Sequence, residues 1–566
     1  MKRGRNMVNV LELVSSAILA LVAASAACGA PVCEWSYPPR YWPCWEVLQA
    51  RAHTYATGQY VGYPTRLNDA KSVAAFRDRS GRVMRVSGAS RGGVPCVKGT
   101  GWQAEVDGTW VDCDVFKGRE DIPPHLLGFP SKRETPRRAD GLYEADGETV
   151  AFVYCRSKVR PVLRVGESRE EALNEDPEWF EQSCWMEPTG GKDEWRSAVS
   201  LAFRYYRFAA PVEETWYVCD EMQRPLLGTY RSGDARREKI WRACAETVRL
   251  CTRRFFVDAV KRDRLPWAGD AATGFLADFA TYRNAEAARF TIDAEGWTPG
   301  GAQADYDPWW VIVNGLYRRL YGDVDFIRSR WGVIRSRTDA LAALVREDGV
   351  AVKDPKRSFF IDWGERGEPT TAYCVLTFGA LDTAAALAEE IGEKSDAVRW
   401  RALSEKVRAA VLRLAYDSDT GLLKTDIFNP KGTVYRQANI FAVLFGLVPD
   451  EAARRIGDRL AGTELPSVGS TWMSGLECVA LTLTGHSDVV LRRIDEEWGG
   501  MVDRGYNVAF EHWWRDAKGA DSYRFYDRPF GLSLCHLTAA WPAYLLPVLQ
   551  KGPMENPFRV KKEGKR

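Results

Sequence analysis

The sequence predicts a two-part fold, an N-terminal β-sandwich followed by an (α/α)6 barrel. Three observations predict it. Residues 31–230 hold short alternating runs bounded by Gly and Pro. Beyond residue 233 apolar residues recur at three- and four-residue steps. The linkers there alternate between short turns and long loops rich in Gly, Trp and Asp, a rhythm that suits antiparallel helix pairs closed into a ring. An α-solenoid is the alternative, but no fixed repeat period is found. The expected organisation is a signal peptide over 1–30, the sandwich over 31–230, the barrel over 231–550 and a basic tail over 551–566.

The elements follow in chain order. Lys2, Arg3 and Arg5 precede the short apolar run LVSSAILALVAASAA at 13–27, which reads as an export signal and is too short and too rich in Ala and Ser for a membrane span. Cleavage near Ala27 or Ala30 makes the protein periplasmic or extracellular. Lipidation at Cys28 is the alternative and the one route to membrane contact, although Ser25 makes a poor lipobox. Strands are expected at 148–155, 159–166, 200–209 and 214–220, with 125–141 as a loop by composition. Amphipathic runs then cover 235–256, 269–283, 308–322, 337–348, 370–392, 397–417, 434–447, 449–462, 470–485, 487–503 and 531–549. No stretch after the signal is expected to cross a membrane.

Composition narrows the function. A net charge of +2 spread along the chain does not imply nucleic acid as a partner, and losing Lys2, Arg3, Arg5 and Glu12 with the signal leaves the remainder formally neutral. The 13 Cys include no C-x-x-C pair and none at zinc spacing with His; neither H-E-x-x-H nor a phosphate loop is present, so no metal, nucleotide or other cofactor is expected. Cys244, Cys251, Cys374, Cys478 and Cys535 sit in apolar helical patterns as small buried hydrophobes, whereas the Cys of the first half could pair in an exported protein. The 22 Trp are the unusual entry in the composition, because flat apolar faces cover the C–H patches of sugar rings as well as filling cores.

Four long loops combine acids with aromatic residues: FFVDAVKRDRLPWAGDA at 255–271, then 293–310, 359–371 and 507–531. In a helical ring alternate loops gather at one end, so the four could line one cavity. Carboxylates accept hydrogen bonds from hydroxyls, and a pair of them can cut a glycosidic bond, so an oligo- or polysaccharide is the expected ligand. The bland readings stand beside this: Asp270 is also placed to cap the helix after it, and Asp263 lies between Arg262 and Arg264 as in a surface ion-pair cluster.

Asp258, Asp263 and Asp270, spaced at zero, five and twelve around Arg264-Leu265-Pro266-Trp267, resemble the signature of the α-L-rhamnosidases of glycoside hydrolase family 78 and related six-hairpin glycosidases. Segments 165–173, 203–208, Asp362-Trp363, 436–449 and 529–546 resemble further parts of that family in the same order. The resemblance implies hydrolysis of terminal α-L-rhamnosides by an inverting pair, with Asp263 as general acid and Glu511 of AFEHWW as general base. It implies that Asp258 and Asp270 hold sugar hydroxyls. Trp267, Asp362, Trp363, Trp513 and His536 join the candidate substrate-binding set, with Trp267 and Trp513 as the aromatic cover that would raise the acid's pKa. His536 is equally open to a role as a satisfied buried histidine. Asp263 stands where many members carry Glu, and Asn-Val-Ala-Phe where the family has Thr-Thr-x-Trp, which makes Glu477 the fallback base although its apolar helical setting favours packing. Other readings are a six-hairpin glycosidase for another sugar, such as an α-glucoside or a uronic-acid-containing chain, and a non-catalytic carbohydrate-binding protein of the same fold. A polysaccharide lyase would need a Tyr or His base beside a neutralising group, and none is evident among five His.

Overall fold

The computed structural model describes residues 34–37, 75–77, 83–85, 103–106, 109–112, 114–117 and 130–559, apart from 176–181, 183–185, 198–199, 222, 254, 262–263, 265, 296–302, 365–366, 430 and 527. The signal segment with Cys28, the candidate acid Asp263, tail residues 560–566 and Cys33, Cys44, Cys96, Cys113 and Cys184 lie outside the described residues. Two compact units divide the chain, Met1–Leu127 and Gly128–Arg566. In the first, β1 (Glu34–Tyr37) pairs antiparallel with β6 (Asp114–Lys117), and β2 (Ala75–Arg77), β3 (Val83–Arg85), β4 (Gln103–Val106) and β5 (Thr109–Asp112) form a sheet of order β3-β2-β4-β5.

The second unit opens with an eight-stranded antiparallel sheet built around β9 (Leu142–Arg156). Its other strands are β7 (Pro130–Glu134), β8 (Arg137–Ala139), β10 (Leu163–Gly166), β11 (Met186–Pro188), β12 (Glu194–Ser197), β13 (Leu201–Phe208) and β14 (Glu214–Asp220). Glu148 to Val153 of β9 are all buried, so the middle of the sheet is covered on both faces. The segment 125–141, expected as loop, contributes β7 and β8. Their charged, largely exposed residues read as loop, yet the backbone pairs with β14 and β9, as is usual for edge strands kept polar. A short helix α1 (Arg169–Leu173) follows β10, its Ser168 accepting a hydrogen bond from Glu171 N–H.

Twelve α-helices follow among the described residues: α2 (Ala235–Leu250), α3 (Ala268–Thr281), α4 (Ala285–Glu295), α5 (Tyr306–Tyr321), α6 (Val324–Ala342), α7 (Thr370–Ile391), α8 (Lys394–Leu414), α9 (Arg436–Phe445), α10 (Asp450–Ala461), α11 (Thr471–Leu483), α12 (Ser487–Asp503) and α13 (Trp541–Lys551). β15 (Tyr416–Asp417) and β16 (Leu422–Leu423) form a small ribbon after α8. Two kinds of helix alternate. α3, α5, α7, α9 and α11 are buried over most of their length, whereas α6, α8, α10 and α12 bury one stripe and expose the rest. α3 packs on α5, α5 on α7, α7 on α9, α9 on α11, α11 on α13, and α13 on α3. α7 has the length and apolar character of a membrane span, which the sequence does not lead one to expect, but 89% of its apolar window is buried inside the fold as core.

Two helical expectations are corrected. Of the run at 337–348 only 337–342 is helical, as the end of a longer helix that begins at Val324, where Asp323 accepts from Phe326 N–H at 3.0 Å. The run at 531–549 is helical only from Trp541, after a 3-10 turn at Leu537–Ala539. Residues 533–537 are drawn straight because their N–H and C=O groups bond to other segments: Glu511 N–H donates to Ser533 C=O at 3.0 Å and His536 N–H to Ala509 C=O at 3.0 Å. Val150 and Ala202 of the sheet lie in the same apolar cluster as Ile240, Trp241 and Cys244 of α2. Cys244, Cys251, Cys374, Cys478 and Cys535 are buried and free, as expected; Cys155 and Cys219, which the sequence leaves open to pairing, are buried and free as well.

Candidate active site

Three strand-like segments from distant parts of the chain weave together at one place. Leu537 N–H donates to Asp258 C=O at 2.6 Å, Ala259 and His536 form an antiparallel bridge, and Val260 N–H reaches Cys535 C=O at 3.4 Å. The 509–511 segment lies on the other side of 533–536. Arg253 anchors the start of the acidic loop, donating to the Asp220 carboxylate at 2.7 Å at the end of β14. The loop turns at Arg264, whose φ is 52° and whose Nε bonds Val260 C=O at 2.6 Å, and it enters α3 at Trp267.

This weave puts Asp258, Asp270 and His536 side by side, with one oxygen or nitrogen of each within 4.8 Å of the others. Asp270 is not the cap of α3. It sits in the first turn, where the free N–H groups favour a negative charge. Two carboxylates and an imidazole are a donor set that suits a cation as well as sugar hydroxyls. Glu511 adjoins the trio: it is 2% exposed, its Oε1 lies 3.8 Å from His536 Nε2, and Tyr526 Oη and Ser533 N–H donate to it at 3.4 and 3.3 Å. Thr538 N–H can only donate, and it faces His536 Nδ1 at 3.4 Å. A neutral His536 therefore carries its proton on Nε2, toward Glu511.

Aromatic rings border the cluster. Trp267 and Tyr306 pack at 5.5 Å, Tyr306 and Phe360 at 5.8 Å, and Trp363 meets Phe360 and Tyr526 edge-on at 4.7 Å each. Trp363 is 45% exposed, an unusual position for so large an apolar ring. Asp362 beside it turns inward. Its carboxylate accepts from Trp363 N–H (2.8 Å), Ser470 Oγ (2.9 Å), Gly469 N–H (2.9 Å) and Gln437 Nε2 (3.0 Å), so it ties two loops together. Burial nonetheless holds its pKa above the ordinary carboxylate value. Trp513 packs toward α12, against Gly500 and with the Arg504 guanidinium 4.2 Å from its ring centre. Glu477, the fallback base, is locked between Arg436 at 2.5 Å and Arg493 at 2.5 Å.

Two residues not singled out by the sequence belong here. Tyr306 opens α5 and is half-buried; desolvation, then Asp270, Asp305, Tyr526 and Asp258, push its hydroxyl pKa well above the usual value, so it stays protonated as a donor. Asp305 accepts from Phe360 N–H at 2.7 Å and Ile361 N–H at 3.0 Å, and holds Ile361 at a φ of 55°, which sets the turn that presents Trp363. Both lie in the acid-and-aromatic stretch 293–310, the signal that could have found them.

Residues 225–546, which carry this weave, match the bacterial alpha-L-rhamnosidase 6 hairpin glycosidase domain. The chain belongs to that family. Its fold is shared by a rhamnosidase from Klebsiella oxytoca with rhamnose bound, at a TM-score of 0.62 and 20% identity over 79% of this chain and 91% of that one. A family 78 rhamnosidase of a Bacillus species aligns with a TM-score of 0.61 and 18% identity, over 76% of this chain and 49% of the other. A trehalase of Mycobacterium tuberculosis is 31% identical over 118 residues, which are 20% of this chain and 16% of that protein. The chain thus spans less than a fifth of the curated relatives it matches.

Proposed function

We propose that this glycoside hydrolase cleaves terminal α-L-rhamnosidic bonds with inversion of the anomeric centre. Asp263 protonates the leaving oxygen, and Glu511 takes a proton from the attacking water. Glu511 has the setting for that role: the Ser533 N–H, the Tyr526 hydroxyl and the proton on His536 Nε2 all face it, so the carboxylate is held as an acceptor in one orientation. Asp258 and Asp270 take sugar hydroxyls, with Tyr306 as a neutral donor between them, while Trp267 and Trp363 cover the apolar faces of the sugar. Asp362 acts by holding the Trp363 turn. The helices are read as an (α/α)6 barrel preceded by a β-sandwich; the circuit of helix contacts from α3 round to α13 and back supports this. Export to the periplasm or beyond completes the proposal, from the basic and apolar residues of 1–30.

One observation carries the reading: two acids of the 258–270 loop meet His536, which adjoins Glu511, although the loop lies about 240 residues or more from both in the chain. The test is hydrolysis of an aryl α-L-rhamnoside with the product anomer followed by NMR. Initial release of β-rhamnose is expected, and initial release of the α anomer rules inversion out. A second reading, an α-glucosidic substrate, is favoured by the local match to trehalases. Turnover of trehalose or an aryl α-glucoside, with none of the rhamnoside, would replace the first reading by it.

A further inference from the structure

A buried ionic cluster lies where the sheet meets the helices, and it grips both backbone segments that carry the site. Lys261 falls between Asp258 and Asp263 in sequence and is 1% exposed. Its Nζ lies 3.1 Å from Glu167 Oε2 and 3.4 Å from both Glu171 oxygens, and donates to Phe530 C=O at 2.9 Å. Glu167 follows β10 and Glu171 stands on α1, so both carboxylates come from the sheet region. Glu167 Oε2 also accepts Leu534 N–H at 2.7 Å, and Glu171 Oε2 accepts Glu167 N–H at 3.0 Å. A third acid, Glu148 of β9, is 3% exposed, and its carboxyl oxygens make no hydrogen bond. Burial, then Glu167 and Glu171, hold its pKa well above the ordinary value, with Lys261 and Arg204 opposing.

An apolar set of similar volume would pack this junction at least as well, so the cluster needs a reason other than stability. Its geometry supplies one. The ribbon formed by 258–260 and 533–537 is short, and a slip of one residue along it would turn Asp258 or His536 away from the site. Lys261 clamps one strand of that ribbon and the Phe530 end of the other, and Glu167 holds Leu534. We propose that Lys261, Glu167 and Glu171 are positioning residues for glycosidic cleavage, by which the sheet sets the register that makes Asp258, Glu511 and His536 face one another. The inference rests on the functional reading above and makes the sheet region part of the active-site apparatus.

The test compares the full-length wild type with Lys261→Met and the charge-balanced Lys261→Met/Glu171→Gln. Amide hydrogen exchange of 258–260 and 533–537 needs no substrate, and both variants are expected to exchange faster there than the wild type while α7 and α9 are unchanged. On the rhamnoside, kcat is expected to fall about 100-fold with KM moved less than about threefold, as for a misplaced catalytic group. The double variant is expected to recover Tm but not kcat. Recovery of kcat together with Tm would show a packing role only and overturn the proposal, and so would unchanged exchange in the ribbon. If Lys261→Met does not fold, Glu171→Gln alone is expected to show the same local exchange at smaller amplitude, and unchanged protection there overturns the idea equally. A wild type inactive on every rhamnoside sinks the functional reading, whereas the exchange result still decides the positioning.

Discussion

Asp278 near the end of α3 is a carboxylate in the wrong solvent, and replacing it with Asn should make the protein more stable above neutral pH. The group is fully buried; Tyr321 Oη and Asn284 N–H both donate to its Oδ2, at 2.7 and 2.6 Å, and Oδ1 has no hydrogen-bond partner. Burial raises its pKa from the model-compound value of 3.8 to about 7, the two donors only partly opposing. The folded pKa lies above the unfolded one, so between about pH 4 and pH 7 the folded state holds a proton that the unfolded state has lost, and stability falls by about 1.4 kcal/mol for each unit of rising pH. The full loss is about 4 kcal/mol, present at pH 8 and absent below pH 4. Asn reproduces the protonated group: its carbonyl takes the place of Oδ2 and its amide the place of the partnerless oxygen. Urea unfolding of wild type and Asp278→Asn from pH 4 to pH 8 measures the difference directly. The variant's advantage is expected to grow through the window and level off near pH 8. Parallel curves, with no growth of the difference, would refute the assignment of a neutral Asp278.

Glu511→Gln keeps the shape and removes the proposed base, and kcat on the rhamnoside is expected to fall by about 10²-fold or more with rhamnose binding by calorimetry retained; a variant keeping a tenth of the activity would remove Glu511 from the mechanism. Asp263→Asn is expected to lose turnover with binding intact, and full activity would strike it from the list of candidate acids. Asp362→Ala leaves buried donors from Trp363, Ser470, Gly469 and Gln437 without their acceptor and is expected to cost about 3 kcal/mol in urea unfolding, with KM rising as the Trp363 turn loosens. Gly469→Ala sets a methyl 1.8 Å from Gly364 N, so the two loops must part; a Tm unchanged within error would mean that they give way freely.

What the sequence determined by itself is what depends on neighbours along the chain. The 3.6-residue recurrence of Ile240, Cys244 and Val248, or of Val490, Ile494 and Met501, needs only a local helix and one buried face; α12 appears where it points, and α2 does so as far as Leu250, short of the expected end at 256. β14 spans the expected 214–220, where strand-favouring residues coincide with burial on both faces over most of the strand. The acids and aromatics of 255–271 likewise mark the acidic loop in the sequence, and the spacing of Asp258, Asp263 and Asp270 does so through its resemblance to the family signature. Local pattern failed where a residue's partner is remote. The polar strands β7 and β8 exist because β14 and β9 offer them hydrogen bonds. Residues 533–537 leave the helical run because Ala509, Glu511 and Glu167 claim their backbone, and Trp513 packs toward Gly500 and Arg504 because α12 lies there. Tyr306 and Asp305 gain their meaning from Asp270 and Phe360, which only folding brings beside them. Helix and strand are written in short-range periodicity, but an active site is assembled from contacts between distant stretches of chain, and the tertiary fold alone chose which acids would meet.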